Sequence, residues 1–319
     1  MHQLKTIKEL LYSVGDMEKV AYFFRDYGGL EEIGSYKSNR AQLDFWKLPN
    51  EASGHEMLLQ SDKLPFGQLR LIKYNGVEQE YIRSSQNPWD TGGIMDINLR
   101  VHDVKASFEE LRDLGWHGLS DPLFQEMGPF KLYDILMKGY DDIIIAFTHR
   151  TQPPLELPEG MKIPSHVYNS SLIVKDLQQS RDFYEKGLGF QVLNEYTLIK
   201  DKPQENMFGL PFNLADKVAC KALILSPDGK RDVVFQLIEF EGVCGKDFSD
   251  KALPPNRGLL LYRCEVEGLD AFYRDLEEKG ISIHQELQEV MIEPYGKQKC
   301  FAILSPNGVC WEFMESVKS

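Results

Sequence analysis

The sequence predicts an α+β fold of four βαβββ modules, paired into two domains whose curved mixed sheets each enclose a pocket and keep their helices outside. Three observations predict it. The chain matches itself at constant offsets. The matched segments read as a strand, a turn and an amphipathic helix. Each helix is then followed by apolar alternation broken by turn residues, as in antiparallel hairpins.

The first module spans about residues 8–75. Its opening, Leu11 to Phe24, lines up with Ser171 to Tyr184 at an offset of 160, so that Asp16 at the turn matches Asp176. The second module, about 93–150, matches the fourth, about 257–316, at an offset of 165: Leu99-Arg100-Val101 lies against Cys264-Glu265-Val266. Both helices in that pair end at glycine, Gly115 and Gly280, where a residue free to take positive φ closes a helix. The third module spans about 166–240 and carries the turn Ser226-Pro227-Asp228-Gly229; the fourth carries Ser305-Pro306-Asn307-Gly308. A parallel βαβ sheet would need a helix after nearly every strand, and segments 55–75, 129–148 and 298–314 leave no room for one. The stretch 151–160 holds three prolines and no periodicity, so it reads as a linker between domains at 1–150 and 161–319.

Composition narrows the function. The chain has 319 residues, 42% of them hydrophobic, and a net charge of −13. Such a charge repels phosphate backbones and anionic lipid, so nucleic acid is excluded as a partner. The longest apolar runs, such as Ile143 to Phe147, are strand-sized, whereas a membrane helix needs about 20 residues. The N-terminal segment lacks an apolar secretory core, and five cysteines without CxxC spacing suggest reduced thiols. A cytoplasmic protein is expected.

The segment Asp176-Leu177-Gln178-Gln179-Ser180-Arg181-Asp182-Phe183-Tyr184, with its Gly187-Leu188-Gly189-Phe190 tail, and the closing hairpin Ser305-Pro306-Asn307-Gly308 to Glu312-Phe313 resemble the vicinal oxygen chelate superfamily, which contains glyoxalase I, the extradiol dioxygenases and bleomycin-resistance proteins. The resemblance implies paired modules around a pocket for a small oxygenated molecule, with a metal held by His, Glu or Gln, His and Glu. In the second half those positions fall on Asn169, Gln236, Leu261 and Glu312; in the first half they fall on Glu9, Arg70, Asp96 and Ala146.

Imidazole is missing from every one of these positions, and Leu261 has no donor at all. A conventional metal site is therefore degraded or absent: no cofactor is expected, and any divalent metal would fall to Gln236 and Glu312. Glu312 and Gln236 are the candidate catalytic groups, while Asn169, Arg70, Glu9 and Asp96 are the candidate substrate-binding ones. Arg70 with its acids reads either as an ion-pair cluster replacing a lost site or as a grip on a carboxylate or enolate. His166, three residues before Asn169, would face away on a continuous strand. Asp90-Thr91-Gly92 reads as a turn. Tyr196 to Ala219 is long enough to be a lid.

The expectation is an enzyme of lyase, isomerase or dioxygenase class acting on an oxygenated, hydrophobic metabolite. The alternatives are a metal-free small-molecule binding or resistance protein and, behind it, a metal-dependent glyoxalase or ring-cleaving dioxygenase. The partner is a small molecule, with a homodimer left open.

Overall fold

A computed structural model describes residues 2–317 and contains the four modules in order. Module one comprises β1 (Gln3–Ser13), α1 (Met17–Ala21), β2 (Glu31–Lys37), α2 (Arg40–Phe45), β3 (Ser53–Gln60) and β4 (Gln68–Asn75). Module two comprises β5 (Asp96–Arg100), α3 (Val104–Asp113), β6 (His117–Gly118), β7 (Leu123–Met127), β8 (Phe130–Lys138) and β9 (Ile144–Gln152). Module three has β10 (Asn169–Ile173), α4 (Leu177–Arg181), β11 (Gln191–Leu198), β12 (Cys220–Ser226) and β13 (Phe235–Phe240). Module four has β14 (Gly258–Glu267), α5 (Leu269–Glu278), β15 (Ile283–Ile292), β16 (Gly296–Leu304) and β17 (Cys310–Ser316).

The aspartates at the turns explain why each helix begins where it does. Asp16, Asp103 and Asp176 have extended backbone and accept hydrogen bonds from amides in the first turn of α1, α3 and α4, satisfying donors that a helix start leaves open. Module four has Gly268 instead, at φ 78°. There Glu315 of β17 reaches over to accept from the Gly268 and Leu269 amides, at 2.7 and 3.2 Å. Gly115 and Gly280, at φ 86° and 72°, close α3 and α5 as expected.

The sheets pair the modules differently from the sequence division. One eight-stranded sheet runs β15-β16-β17-β14-β1-β4-β3-β2, joining modules four and one; the other runs β11-β12-β13-β10-β5-β9-β8-β6, with β7 beside β8, joining modules three and two. β1 pairs antiparallel with β14, and β5 with β10. The expected pairing within 1–150 and within 161–319 is therefore corrected to one-with-four and two-with-three. Thr151 and Gln152, assigned to the linker, still belong to β9.

Strand alternation sends one face of each sheet, with the helices, into a shared core. Leu10, Tyr12, Ile97, Phe147, Phe235, Tyr262 and Trp311 all contribute to it. Polar bonds cross that core: the Ser170 and Tyr262 hydroxyls meet at 2.6 Å, and Trp311 Nε1 donates to the Tyr184 hydroxyl at 3.2 Å. The opposite faces form two separate troughs with their own apolar clusters. Each is covered by the chain between the second and third strands of a module.

Candidate functional site

The expected site positions sort by sheet, not by half of the sequence. Glu9, Arg70, Leu261 and Glu312 fall in the first trough, and Asp96, Ala146, Asn169 and Gln236 in the second. Glu312 and Gln236, expected to work together, lie on different sheets. Asp96 is likewise separated from Glu9 and Arg70.

The first trough is an ionic network. Arg70 is fully buried; its Nε and Nη2 donate to the two oxygens of Glu9 at 2.8 and 3.0 Å, and its Nη1 donates to Glu56 at 2.8 Å. Arg263, also fully buried, donates to Glu9 through Nη1 and to Glu312 through Nε. The Trp46 indole donates to the other Glu312 oxygen at 3.1 Å, and Ser38 to the other Glu56 oxygen. The Tyr295 hydroxyl lies 2.8 Å from Glu9. Every oxygen of the three carboxylates thus has a partner. Burial alone would raise the Glu9 pKa, but attraction by Arg70 and Arg263 outweighs it and holds the group down at about 2. Leu261 packs with Leu11 and Ile72. Two guanidinium groups occupy the space that a metal would need, so these residues do not fit a metal.

The second trough keeps two buried carboxyls with no cation hydrogen-bonded to either among the described residues, Arg83 acting on Asp96 only through its field. Asp96 is 2% exposed, and burial raises its pKa to about 6 against hydrogen bonding from Ser171. Asp134 is raised to about 7, chiefly by burial and further by the nearby Asp96, while hydrogen bonds from Thr148 and the Ile135 amide oppose the rise. Asn169 Oδ1 is buried without a partner. Gln236 donates to Ser171 at 2.8 Å and accepts from the Tyr196 hydroxyl at 3.0 Å. The four expected ligand positions offer one carboxyl, one methyl and two amides, of which the Gln236 oxygen is already engaged. This donor set also fits a metal poorly. Among the described residues no group of three His, Cys, Asp or Glu side chains could hold a metal ion.

Glu56, Asp134 and Arg263 were not singled out from the sequence. Each is a charged residue on the inward face of an otherwise apolar strand, at Glu56-Met57-Leu58-Leu59, Asp134-Ile135-Leu136-Met137 and Leu261-Tyr262-Arg263-Cys264, and that placement is a usable signal. His166 is not on a strand; its Nε2 meets the Asp232 carbonyl at 2.7 Å and its ring lies edge-on to Phe66. Trp311 enters the shared core while Glu312 faces the trough, as alternation requires.

The cover of the second trough is residues 199–219, since Tyr196 to Leu198 remain in β11. Phe208, Leu210 and Val218 pack on Leu136, Ala146, Ile173 and Ile238. Asn206 organises the loop, donating to the Leu210 carbonyl and accepting from the Phe208 and Leu210 amides. Beside it lies a cavity of about 240 Å³ lined by Trp89, Met95, Leu119, Ile144 and Pro211.

Residues 164–313 match the model of the Glyoxalase/Bleomycin resistance protein/Dioxygenase superfamily. Glyoxalase I from Zea mays superposes with a TM-score of 0.62 at 16% identity, over 99% of this chain and 93% of that one. A putative dioxygenase from Bacillus subtilis superposes with a TM-score of 0.56 at 11% identity, over 99% of this chain and 87% of that one. At these identities the likeness is one of fold. No curated protein matches the sequence. By that family model the third and fourth modules, residues 164–313, belong to the Glyoxalase/Bleomycin resistance protein/Dioxygenase superfamily, and the chain as a whole shares the fold of the two superposed structures.

Proposed function

We propose that this chain is a small-molecule enzyme whose working site is the second trough, where Asp96 and Asp134 move a proton on an oxygenated, partly hydrophobic metabolite. One observation carries the reading: Asp96 and Asp134 are both buried on the same face of one sheet, Asp134 within the field of Asp96, with no cation hydrogen-bonded to either among the described residues. Groups that titrate near neutrality exist in both forms at working pH, which suits general acid and base catalysis. Because the pair interacts, one carboxyl is ionised more readily than the other, giving a base and an acid in the same trough. Asn169 and Asn98 supply amides to hold a carbonyl or hydroxyl oxygen, and Phe208 and Leu210 exclude water. The reaction class is proton transfer next to a carbonyl, as in a lyase or isomerase.

A metal-free binding protein is the second reading, favoured by the apolar cover packed over the trough. Either way the net charge of −13 suits a small-molecule partner better than nucleic acid. Among the described residues no helix is long and apolar enough to cross a membrane. The reading includes a cytoplasmic location, supported by five unbridged cysteines. Both troughs are completed within one chain, so neither needs a second copy.

The test is solvent deuterium exchange. Hydroxyketones, 2-oxo acids and their phosphate esters are incubated with the protein in heavy water after chelator treatment, and deuterium at carbon is read by mass spectrometry. The expected result is incorporation that falls by about 100-fold or more in Asp96→Asn. Ligand binding without incorporation favours the binding protein. Turnover that requires about one transition metal per chain overturns the metal-free reading.

A further inference from the structure

We infer that Arg100 and Arg150 form an anion subsite at the polar end of the second trough, taking a carboxylate or phosphate group of the substrate. This rests on the proposal that the trough is the working site.

Arg100 ends β5 and Arg150 lies in β9, both on the face that carries Asp96 and Ala146. Register fixes their neighbours. Thr148 of β9 lies beside Arg100 on one flank and Asp134 on the other, and Arg150 stands one inward position beyond Thr148. Tyr168 completes the floor: the Arg100 guanidinium lies 4.1 Å from its ring centre, and its hydroxyl donates to Thr148 Oγ1 at 3.0 Å. Thr148 in turn donates to Asp134 at 3.1 Å. The Arg150 guanidinium stacks over Phe130 at 5.3 Å.

Neither arginine has a carboxylate partner among the described residues, in a chain with 49 acidic side chains. Arg150 Nε is buried with no hydrogen-bond acceptor. The two cations are close enough to repel: burial weakens the hold of Arg100 on its proton, and Arg150 weakens it further. The contrast with the first trough is direct. There, two inward arginines are neutralised by Glu9, Glu56 and Glu312; here, two arginines lie over aromatic rings, 4.1 and 5.3 Å from their centres, with no carboxylate partner among the described residues. A planar, charged fork fixed in place is suited to bidentate capture of an oxyanion.

The order along the trough then describes the substrate. An anionic group sits at Arg100 and Arg150. The oxygenated carbons follow beside Asp134, Asn98 and Asp96, the last about 13 Å along β5 from Arg100 at the usual strand rise. An apolar remainder reaches Phe208 and Leu210. The class is an oxo or hydroxy acid, or the phosphate ester of one, with a hydrophobic tail.

The experiment is calorimetric titration of the full chain with inorganic phosphate and, separately, with malonate. One anion is expected to bind per chain, and Arg100→Met and Arg150→Met each weaken it about tenfold or more; the anion that binds more tightly identifies the group. Methionine keeps the stem over Tyr168 or Phe130, melting temperature checks the fold, and Arg100→Lys, which keeps charge without the fork, should recover only part of the affinity. Binding of neither anion, or binding unchanged in both methionine variants, overturns the subsite. Asp96→Asn separates this inference from the proposed function. Anion binding lost with the arginines while Asp96→Asn retains turnover leaves the subsite and removes the proton-transfer reading. The reverse pattern leaves proton transfer and removes the subsite.

Discussion

Ala146 occupies in the second trough the position that Arg70 occupies in the first. Arg70 lies between Leu11 of β1 and Leu58 of β3, and Ala146 lies between Asn98 of β5 and Leu136 of β8. By the same registers Asp96 corresponds to Glu9 and Asp134 to Glu56. Two carboxyls are thus retained in each trough, while the guanidinium that bridges them is present in one and replaced by a methyl in the other. One trough is ion-paired and sealed. The other keeps acids that titrate near neutrality.

Removing the bridge from the first trough tests the structural role of that network. Arg70→Met leaves Glu9 with Arg263 as its one remaining cation and Glu56 with none, all of them buried. The expected loss is about 3–5 kcal/mol of folding stability, as for breaking other buried ion pairs. Turnover per folded molecule should not change, since the working groups are on the other sheet. Urea unfolding checks the first outcome and activity at matched folded fraction the second.

Stability against pH should carry both troughs. Asp96 and Asp134 have folded pKa values of about 6 and about 7 against an ordinary 3.8, so the folded state binds their protons more tightly. Their contribution is fully present below about pH 4 and is lost as pH rises through 6 to 7, at about 1.4 kcal/mol per pKa unit as an upper estimate. Glu9, lowered from 4.5 to about 2, acts in the opposite sense: its contribution is present above 4.5 and is lost as pH falls toward 2. Urea midpoints measured from pH 4 to 8 should therefore decline toward the alkaline end, and Asp96→Asn should flatten that decline. An unchanged slope in the variant would remove Asp96 from the titration.

The sequence revealed the four modules because strand, turn, capping aspartate and helix are local and recur at fixed spacing. The eight site positions were legible for the same reason, and all of them face a trough. Their grouping was not legible. Whether β1 joins β5 or β14 is decided between strand edges more than 80 residues apart in sequence, and Glu9 opposite Arg263 becomes visible only in the register. Arg70 and Glu9 are ion-paired, with Glu56 as the second acid where Asp96 was expected and Arg263 as a second cation. Asp134 carried the signal of a lone charge in Tyr133-Asp134-Ile135-Leu136-Met137, but which face of that strand is covered is fixed only by the sheet pairing.

Glu312 and Gln236 should now behave oppositely. Glu312 is held by Arg263 and Trp46, so Glu312→Gln should cost about 3 kcal/mol or more of stability by removing the buried anion that pairs with Arg263 Nε and leave turnover per folded molecule intact. Gln236 links Ser171 and Tyr196 beside Asp96. Gln236→Leu should lower turnover or ligand affinity, with a smaller stability loss of about 1–3 kcal/mol from two orphaned hydroxyls. Kinetics and unfolding on the two variants check the crossover; a Glu312→Gln protein that is stable but inactive would return the working site to the first trough.

The two covers should differ in how readily they open. Trp46, just after α2, is tied to Glu312 by its indole, and Arg40 fastens the same segment through the carbonyls of Leu48, Pro49 and Asn50. Residues 199–219 reach the second trough through Phe208, Leu210 and Val218, and Asn206 bonds only within its own loop. Apolar contact without a polar tie to the site permits local opening at lower free energy than unfolding of the whole chain. Hydrogen exchange followed by mass spectrometry should therefore show amides of 205–214 exchanging faster than those of 41–48, with ligand in the second trough slowing the former and leaving the latter unchanged. Equal rates in the free protein, or protection appearing over Trp46 instead, would mean that the ligand enters from the sealed side and that the open acids serve another purpose.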